Sequence, residues 1–276
     1  MASNTSQNAP PVKVLAKIPG AEPSARMDPW WWMVLAVVAL IVYLIVRFPD
    51  PYQTMFNFFL DGIGITIRVT ILAFVFTLIL GLFGGLGRLS KNWLIHGVAT
   101  IYVEIIRGIP LLVQLFFWYF AFPQVVQELG KALNNEAMMT YQANPMFWAV
   151  FGLTFCYGAY MSEIYRAGIQ SIQKGQVEAA RSLGMTYVQA MRYVILPQAV
   201  RVILPPVGNE FISLLKDSSL VSQVAIADLT RLGREYAGAH YISIQVWIMV
   251  ALIYLVMTLL SARLVSWIER KTKVER

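Results

Sequence analysis

Apolar residues in this chain gather into six long runs separated by short polar stretches. Run one, Trp30 to Phe48, carries no charge before Arg47. Run two extends from about Gly62 to Leu86 and is interrupted only by Arg68. Run three spans about His96 to Phe122, with Glu104 and Arg107 in its first half. Runs four, five and six cover about Met146 to Tyr165, Tyr193 to Leu215 and Ile242 to Ile268. A helix crosses a bilayer's hydrocarbon core with roughly 20 mostly apolar residues, so the pattern predicts an all-α integral membrane protein of about six transmembrane helices. Residues 1–29 are polar and rich in Pro, Ser and Ala, and read as a disordered tail. Run one lacks a small-residue cleavage site and is expected to stay as a helix over 30–48. Trp30, Trp31 and Trp32 would sit at its membrane–water boundary, where indole rings favour the headgroup level.

Composition agrees with a membrane class. Of 276 residues, 58% are hydrophobic and 13% charged, and the mean hydropathy is +0.59; soluble domains carry about a quarter charged residues. Lysine and arginine set the orientation. With a cytoplasmic N-terminus, the inner side collects Lys13, Lys17, Arg26, Arg88, Lys91, Arg166, Lys174, Arg181, Arg192, Arg263, Arg270, Lys271, Lys273 and Arg276. The outer side collects Lys131, Arg231 and Arg234. Both termini are therefore expected in the cytoplasm. The net charge of +7 then belongs to loops beside membrane lipid, and no basic stripe on a soluble domain suggests nucleic acid. A lone Cys156 excludes an internal disulfide, and His96 and His240 lie in different segments, so no metal site is expected.

Residues 166–193 interrupt the membrane pattern with Arg166, Lys174, Glu178, Arg181 and Arg192. Gln176 to Leu183 suits a short helix stopped by Gly184, which tolerates positive φ. Thr186 to Gln189 fits a T-x-x-Q capping box opening a second helix, with Val188, Met191 and Ile195 as an apolar stripe. Pro205-Pro206 in run five removes backbone donors and predicts a kink. Such a helix–glycine–helix unit suits a plain surface loop before it suits a docking element for a soluble partner, since most amphipathic loop helices bind nothing.

Spacing narrows the choice. Glu178-Ala179-Ala180, three residues, Gly184, nine residues, then Val194-Ile195-Leu196-Pro197 resembles the EAA loop of ABC importer permeases, with Val194 as a conservative departure from the usual isoleucine. Glu104-Ile105-Ile106-Arg107-Gly108-Ile109-Pro110-Leu111-Leu112-Val113-Gln114 is similar to the span-three signature of the polar amino acid uptake branch (histidine-, glutamine- and arginine-type permeases). Gly208-Asn209-Glu210-Phe211-Ile212 and Leu215-Lys216-Asp217-Ser218-Ser219 resemble the same branch. The resemblance implies a type I fold: a five-helix permease core over 62–270, the helix 30–48 as an addition, and an EAA loop over 176–197. It also implies that Glu178, Ala179, Ala180, Arg181, Ser182, Leu183 and Gly184 form a coupling helix seated on an ATPase subunit. The implied partners are an ABC ATPase dimer binding ATP and Mg, a second permease chain, and an extracytoplasmic amino-acid-binding protein. The implied location is the inner membrane of a prokaryote.

This chain supplies no ATP chemistry of its own. A Walker A loop needs G-x-x-x-x-G-K-S/T, whereas Gly130-Lys131 is followed by Ala132 and lacks the earlier glycine. Ionisable residues inside spans face a bundle interior or cavity. Glu104 and Arg107, three apart, are expected to pair and orient their helix, with substrate contact as the other reading. Glu163 is expected to pair with Arg166. Glu210 and Asp217, seven apart, share a helix face; with Asn209 and Lys216 they suit either a translocation pathway for a zwitterion or a packing network among spans. Gly81 and Gly85 have the small-xxx-small spacing of close helix contact, and the aromatics of Phe116 to Phe122 suit an interfacial belt. An autonomous channel or secondary transporter is the rival class, but it gives no reason for the EAA spacing. A membrane enzyme would need a nucleophile, base or metal constellation that the sequence lacks.

Overall fold

The computed structural model describes residues 29–272, and every regular element among them is helical. Residues 1–28 of the expected disordered tail (1–29) and the basic residues Lys13, Lys17, Arg26, Lys273 and Arg276 lie outside the described residues, while Pro29 already belongs to the first helix. Helix α1 spans Pro29–Arg47, α2 Pro49–Arg88 and α3 Trp93–Gly108. Then come α4 Leu111–Phe116, a π-helical turn Phe117–Ala121, α5 Phe122–Ala132 and the single turn α6 Glu136–Met139. Helix α7 is Pro145–Gln170, α8 Lys174–Ser182 and α9 Tyr187–Ala190. A second π-helical turn, Met191–Ile195, runs into α10 Leu196–Asp217, followed by a 3-10 segment Ser218–Gln223, α11 Leu229–His240 and α12 Ser243–Thr272.

Helices occupy all six apolar runs, with three departures from expectation. Among the described residues, α1, α2 and α12 are each long and apolar enough to cross a membrane, and α3 with α4–α5 makes a fourth span only if a 106° bend is allowed. Run three is therefore not one straight helix. Second, α2 begins thirteen residues before Gly62, at Pro49, with Asp50 in a non-helical conformation. Gln53, Asn57 and Asp61 dilute the hydropathy there, yet Met55 and Phe59, four apart, are fully buried against Leu229, Tyr236, Met249 and Ile253 of α11 and α12. The extension is an amphipathic helix held by packing. Third, Trp118 turns inward, stacked on Trp148 and edge-on to Phe151 and Phe155, while Phe116, Phe117 and Phe120 stay exposed. Only part of that aromatic stretch faces outward.

The bundle is organised by α2 against α7. The buried seam of α2 is Thr66, Val69, Thr70, Ala73, Thr77, Gly81 and Gly85, nearly all small. A Cβ on Gly81 would lie 2.5 Å from the Met161 side chain, and one on Gly84 would lie 2.1 Å from Ser162 Oγ. Small residues let helix backbones approach where lipid gives no hydrophobic drive to associate. Most of the seam's hydroxyls are satisfied: Thr70 donates to Thr66 O (2.8 Å), Ser162 to Gly158 O (2.7 Å), and Thr154 across the interface to Ala73 O (3.3 Å), while the buried Thr77 hydroxyl has no partner among the described residues. The close contact expected of Gly81 and Gly85 is thus present.

Replacing Gly81 by Leu forces a side chain into that contact, an overpacking cost of about 1–3 kcal/mol. Gly64 has nothing within 4 Å of an added Cβ. The melting midpoint of the purified protein is expected to fall for Gly81→Leu and to hold or rise for Gly64→Ala, since alanine is the better helix former by about 1 kcal/mol.

Candidate functional site

Three arrangements stand out, each from local chemistry. The first is the loop 171–195. Helix α8 ends in a Schellman motif: Gly184 N donates to Arg181 O (2.9 Å) and Met185 N to Ala180 O (3.2 Å), with Gly184 at φ +80°. Both bonds need that left-handed turn, which glycine adopts without a Cβ penalty. The chain then enters α9 through the expected capping box: Gln189 N donates to Thr186 Oγ1 and Thr186 N to Gln189 Oε1. The expected apolar stripe is divided, because Ile195 is buried and Val188 is 71% exposed. A different patch forms at the tip, where Leu183, Tyr187 and Val188 are 80%, 67% and 71% exposed. Glu178, Ala179, Arg181, Ser182 and Gly184 are exposed with it, while Ala180 turns inward.

The second is an ion cluster where α2, α3 and α7 converge. Arg88 donates to Glu163 (2.6 Å) and to Glu104 (3.3 Å), and Glu163 also binds Arg166 as expected. The expected Glu104–Arg107 pair does not form. Arg88 ends α2 beside Glu104, and sequence spacing cannot see a partner sixteen residues away.

That leaves Arg107 for the third arrangement, a cavity of about 370 Å³ at the break between α3 and α4. Gly108 and Pro110 stop the helix, since glycine is a poor helix former and proline lacks the next N–H. The buried Gln114 amide holds the turn by donating to Ile106 O (2.8 Å) and Ile109 O (2.9 Å). The cavity lies between this elbow and α10, lined by Arg107, Gly108, Pro110, Tyr157, Tyr160, Glu210 and Asp217 among others. The Arg107 guanidinium sits 5.2 Å from the Tyr160 ring centroid, and Tyr157 donates to Asp217 Oδ2 (2.7 Å). Glu210 and Asp217 thus share the face their spacing implied. Asn209 and Lys216 are exposed and off the cavity lining. Among the described residues no ion pair joins Lys216 to either carboxylate. Tyr157 and Tyr160 carry no signal in the sequence, whereas Arg107 takes the other of its two readings; the signal for the elbow is Gly108-Ile109-Pro110.

Pro205 and Pro206 lie inside α10, which continues as one helix from Leu196 to Asp217. The expected kink does not break it. The carbonyls deprived of partners belong to Arg201 and Val202, four residues back. Both residues line a polar cavity of about 580 Å³ between α10, the α7–α8 turn and the end of α12, a setting in which free carbonyls are tolerated.

Membrane-length helices, a polar cavity at a broken span and a projecting helix–glycine–helix loop define a membrane transport subunit. The chain belongs to the family described as binding-protein-dependent transport system inner membrane component, whose pattern matches residues 77–274. It is the permease component of an ABC importer, multi-pass in the inner membrane, and not itself an ATPase; the family works without a cofactor of its own. The chain is 35% identical over 215 residues to the glutamine transport system permease protein GlnP of Escherichia coli K12, covering 78% of this chain and 93% of that one. It is 41% identical over 220 residues to the L-cystine transport system permease protein TcyB of Bacillus subtilis, covering 79% and 88%. Among solved structures, an amino acid ABC transporter crystallised with histidines matches with TM-score 0.71 and 41% identity over 79% of this chain and 96% of that one. The inward-facing MetNI methionine ABC transporter shares the fold, with TM-score 0.65 at 21% identity over 80% and 99%.

Gln114→Leu keeps the shape of the elbow but leaves two carbonyls without their donor, at about 1–3 kcal/mol for a buried polar group. The purified protein is expected to melt earlier than wild type, and Gln114→Asn, whose amide is one methylene short, is expected to restore little.

Proposed function

We propose that this chain forms half of the translocation pathway of an importer for polar amino acids, with the α3–α10 cavity as its substrate-facing surface. The observation that carries the reading is the chemistry of that cavity. Arg107 offers a cation for an α-carboxylate, and Glu210 and Asp217 offer carboxylates for an ammonium group. The aromatic wall of Tyr157 and Tyr160 adds hydrogen-bonding hydroxyls. A zwitterion meets complementary charge at both ends there, and the named substrates of the relatives (glutamine and cystine) are amino acids. Asn209 and Lys216, on the same helix, are assigned to its approach rather than to the cavity.

Docking to the ATPase is assigned to the α8 loop: Glu178, Ala179, Arg181, Ser182, Leu183 and Gly184 make the contact surface, and buried Ala180 anchors it to the bundle. The projecting Leu183, Tyr187 and Val188 supply an apolar knob of the kind that a pocket on a soluble partner covers. In this reading α7 and α10 are also spans, so the chain crosses six times with both termini in the cytoplasm. The permease domain covers 62–270, and the helix 30–48 is an addition to it. Two such chains, identical or related, stand over an ATPase dimer, and a loaded binding protein docks on the opposite face.

Gly184→Arg demands a left-handed conformation from a bulky residue, at about 1–2 kcal/mol, and distorts the docking turn. Co-purification of the ATPase with this variant is expected to fall at least tenfold; unchanged assembly removes the docking role. The pathway is tested by substrate-stimulated ATP hydrolysis of the reconstituted complex across an amino acid panel. Glu210→Gln and Asp217→Asn are each expected to lower stimulation severalfold without loss of assembly. Wild-type transport in both variants would overturn the pathway assignment.

A further inference from the structure

Two cavities stack along one groove between α10 and α12, away from the substrate-facing surface. The lower, about 400 Å³, is bounded by Arg192, Leu196, Val200 and Arg201 with Lys271 of α12. The upper, about 350 Å³, is walled by Leu204, Val207 and Phe211 of α10, Leu264 and Ile268 of α12, and Phe74 of α2, with Glu269 at its lower end. Leu196, Val200, Leu204, Val207 and Phe211 recur every three or four residues, so they form a single stripe. Glu210, one residue from Phe211, points about 100° away from it. The groove and the pathway therefore occupy different faces of the same helix.

The dimensions and polarity of the groove suit one kind of occupant. From Val200 to Phe211 is about 16 Å at 1.5 Å per residue, roughly half of a ~30 Å hydrocarbon core. An apolar slot one leaflet deep thus opens onto a cluster of three cations. None of the three is ion-paired among the described residues. Arg192 leans over the Tyr193 ring at 5.7 Å and Lys271 over the Trp267 ring at 4.0 Å, the aromatic and basic mixture typical of the headgroup level. Glu269 offsets one charge and leaves the mouth net positive. An acidic soluble partner would satisfy the cations and leave the slot empty. A neighbouring apolar helix would fill the slot and trap the cations unpaired, at a desolvation cost.

We propose that this groove binds an anionic phospholipid of the inner leaflet. Its phosphate is held by Arg192, Arg201 and Lys271, and one acyl chain lies along Leu204, Val207 and Phe211. Phosphate accepts charge-assisted hydrogen bonds from guanidinium and ammonium groups, and basic pockets between helices on the cytoplasmic side suit such headgroups. The proposal rests on the cytoplasmic placement of the α8 loop, since the cations lie at that end of the bundle.

The test uses the assembled transporter in detergent, incubated with phosphatidylglycerol or phosphatidylcholine, passed through gel filtration and assayed by mass spectrometry for retained lipid. Wild type is expected to retain phosphatidylglycerol severalfold over phosphatidylcholine. The triple variant Arg192→Gln, Arg201→Gln, Lys271→Gln is expected to lose that preference, and Lys91→Gln, a cytoplasmic cation outside the groove, to keep it. Val207→Trp fills the slot while sparing every charge, and is also expected to cut retention; it decides the matter if the triple variant does not assemble. Retention at the wild-type level in either groove variant would overturn the proposal. So would a triple variant that sheds the ATPase with lipid retention unchanged, which would make the groove a protein contact. Gly184→Arg separates the two readings: unchanged ATPase assembly in that variant, with lipid retention still lost in the groove variants, leaves the lipid site standing without the docking role.

Discussion

Everything in this fold depends on how closely α2 and α7 approach. A membrane interior supplies no hydrophobic force between helices, so their association rests on dispersion contacts and on hydrogen bonds that have no water to compete with. The glycines at 81, 84 and 85 and the threonines at 66, 70 and 77 remove the bulk that would hold the two axes apart. Met161 and Ser162 then sit directly on the α2 backbone. That pair fixes where α3 must fold back and where Arg88, Glu104, Glu163 and Arg166 meet. It also gives the elbow at Gly108–Pro110 a firm wall, because Gln114 and Cys156 pack at the junction.

What the sequence made legible follows from the range of the interactions. The loop around Gly184 was readable because a Schellman turn and a capping box are completed within a dozen residues; each donor and acceptor is set by spacing along the chain. The seam at Gly81 and Gly85 was readable for the same reason. Glu104 was assigned the wrong partner because Arg88 reaches it through tertiary folding, while Arg107 looked nearer by count. The start of α2 was missed because its apolar side, Met55 and Phe59, is only a stripe on a polar segment, and its burial depends on α11 and α12. The elbow in run three was hidden by hydropathy, which sees Ile, Leu and Val on both sides of a glycine and a proline and reports one span. Of the candidate cavity, the two carboxylates were legible from a seven-residue spacing, Arg107 only as the less favoured of two readings, and both tyrosines not at all.

Helix α10 joins the parts. Its base continues from the α8–α9 loop through the π-helical turn 191–195, one face carries Glu210 and Asp217, and another lines the basic groove with α12. Gly208 lets Val265 come within 2.2 Å of where a Cβ would stand, so α10 and α12 are as tightly apposed at mid-height as α2 and α7. Below that point the two diverge enough to leave cavities on either side of Arg201. One helix therefore borders the projecting loop, the basic groove and the α3–α10 cavity through three separate surfaces.

The elbow at Gly108–Pro110 has a consequence for the energetics of opening. Arg107 rides on α3, whereas Glu210 and Asp217 ride on α10, and among the described residues no ion pair ties the two helices together across the cavity. Turning α10 relative to the elbow would thus reshape the electric field inside the cavity without rupturing an ion pair, with the Tyr157–Asp217 hydrogen bond (2.7 Å) as the polar tie that such a turn strains. The charge pattern inside the cavity becomes a function of angle, and the barrier to changing it is set by packing and that one hydrogen bond.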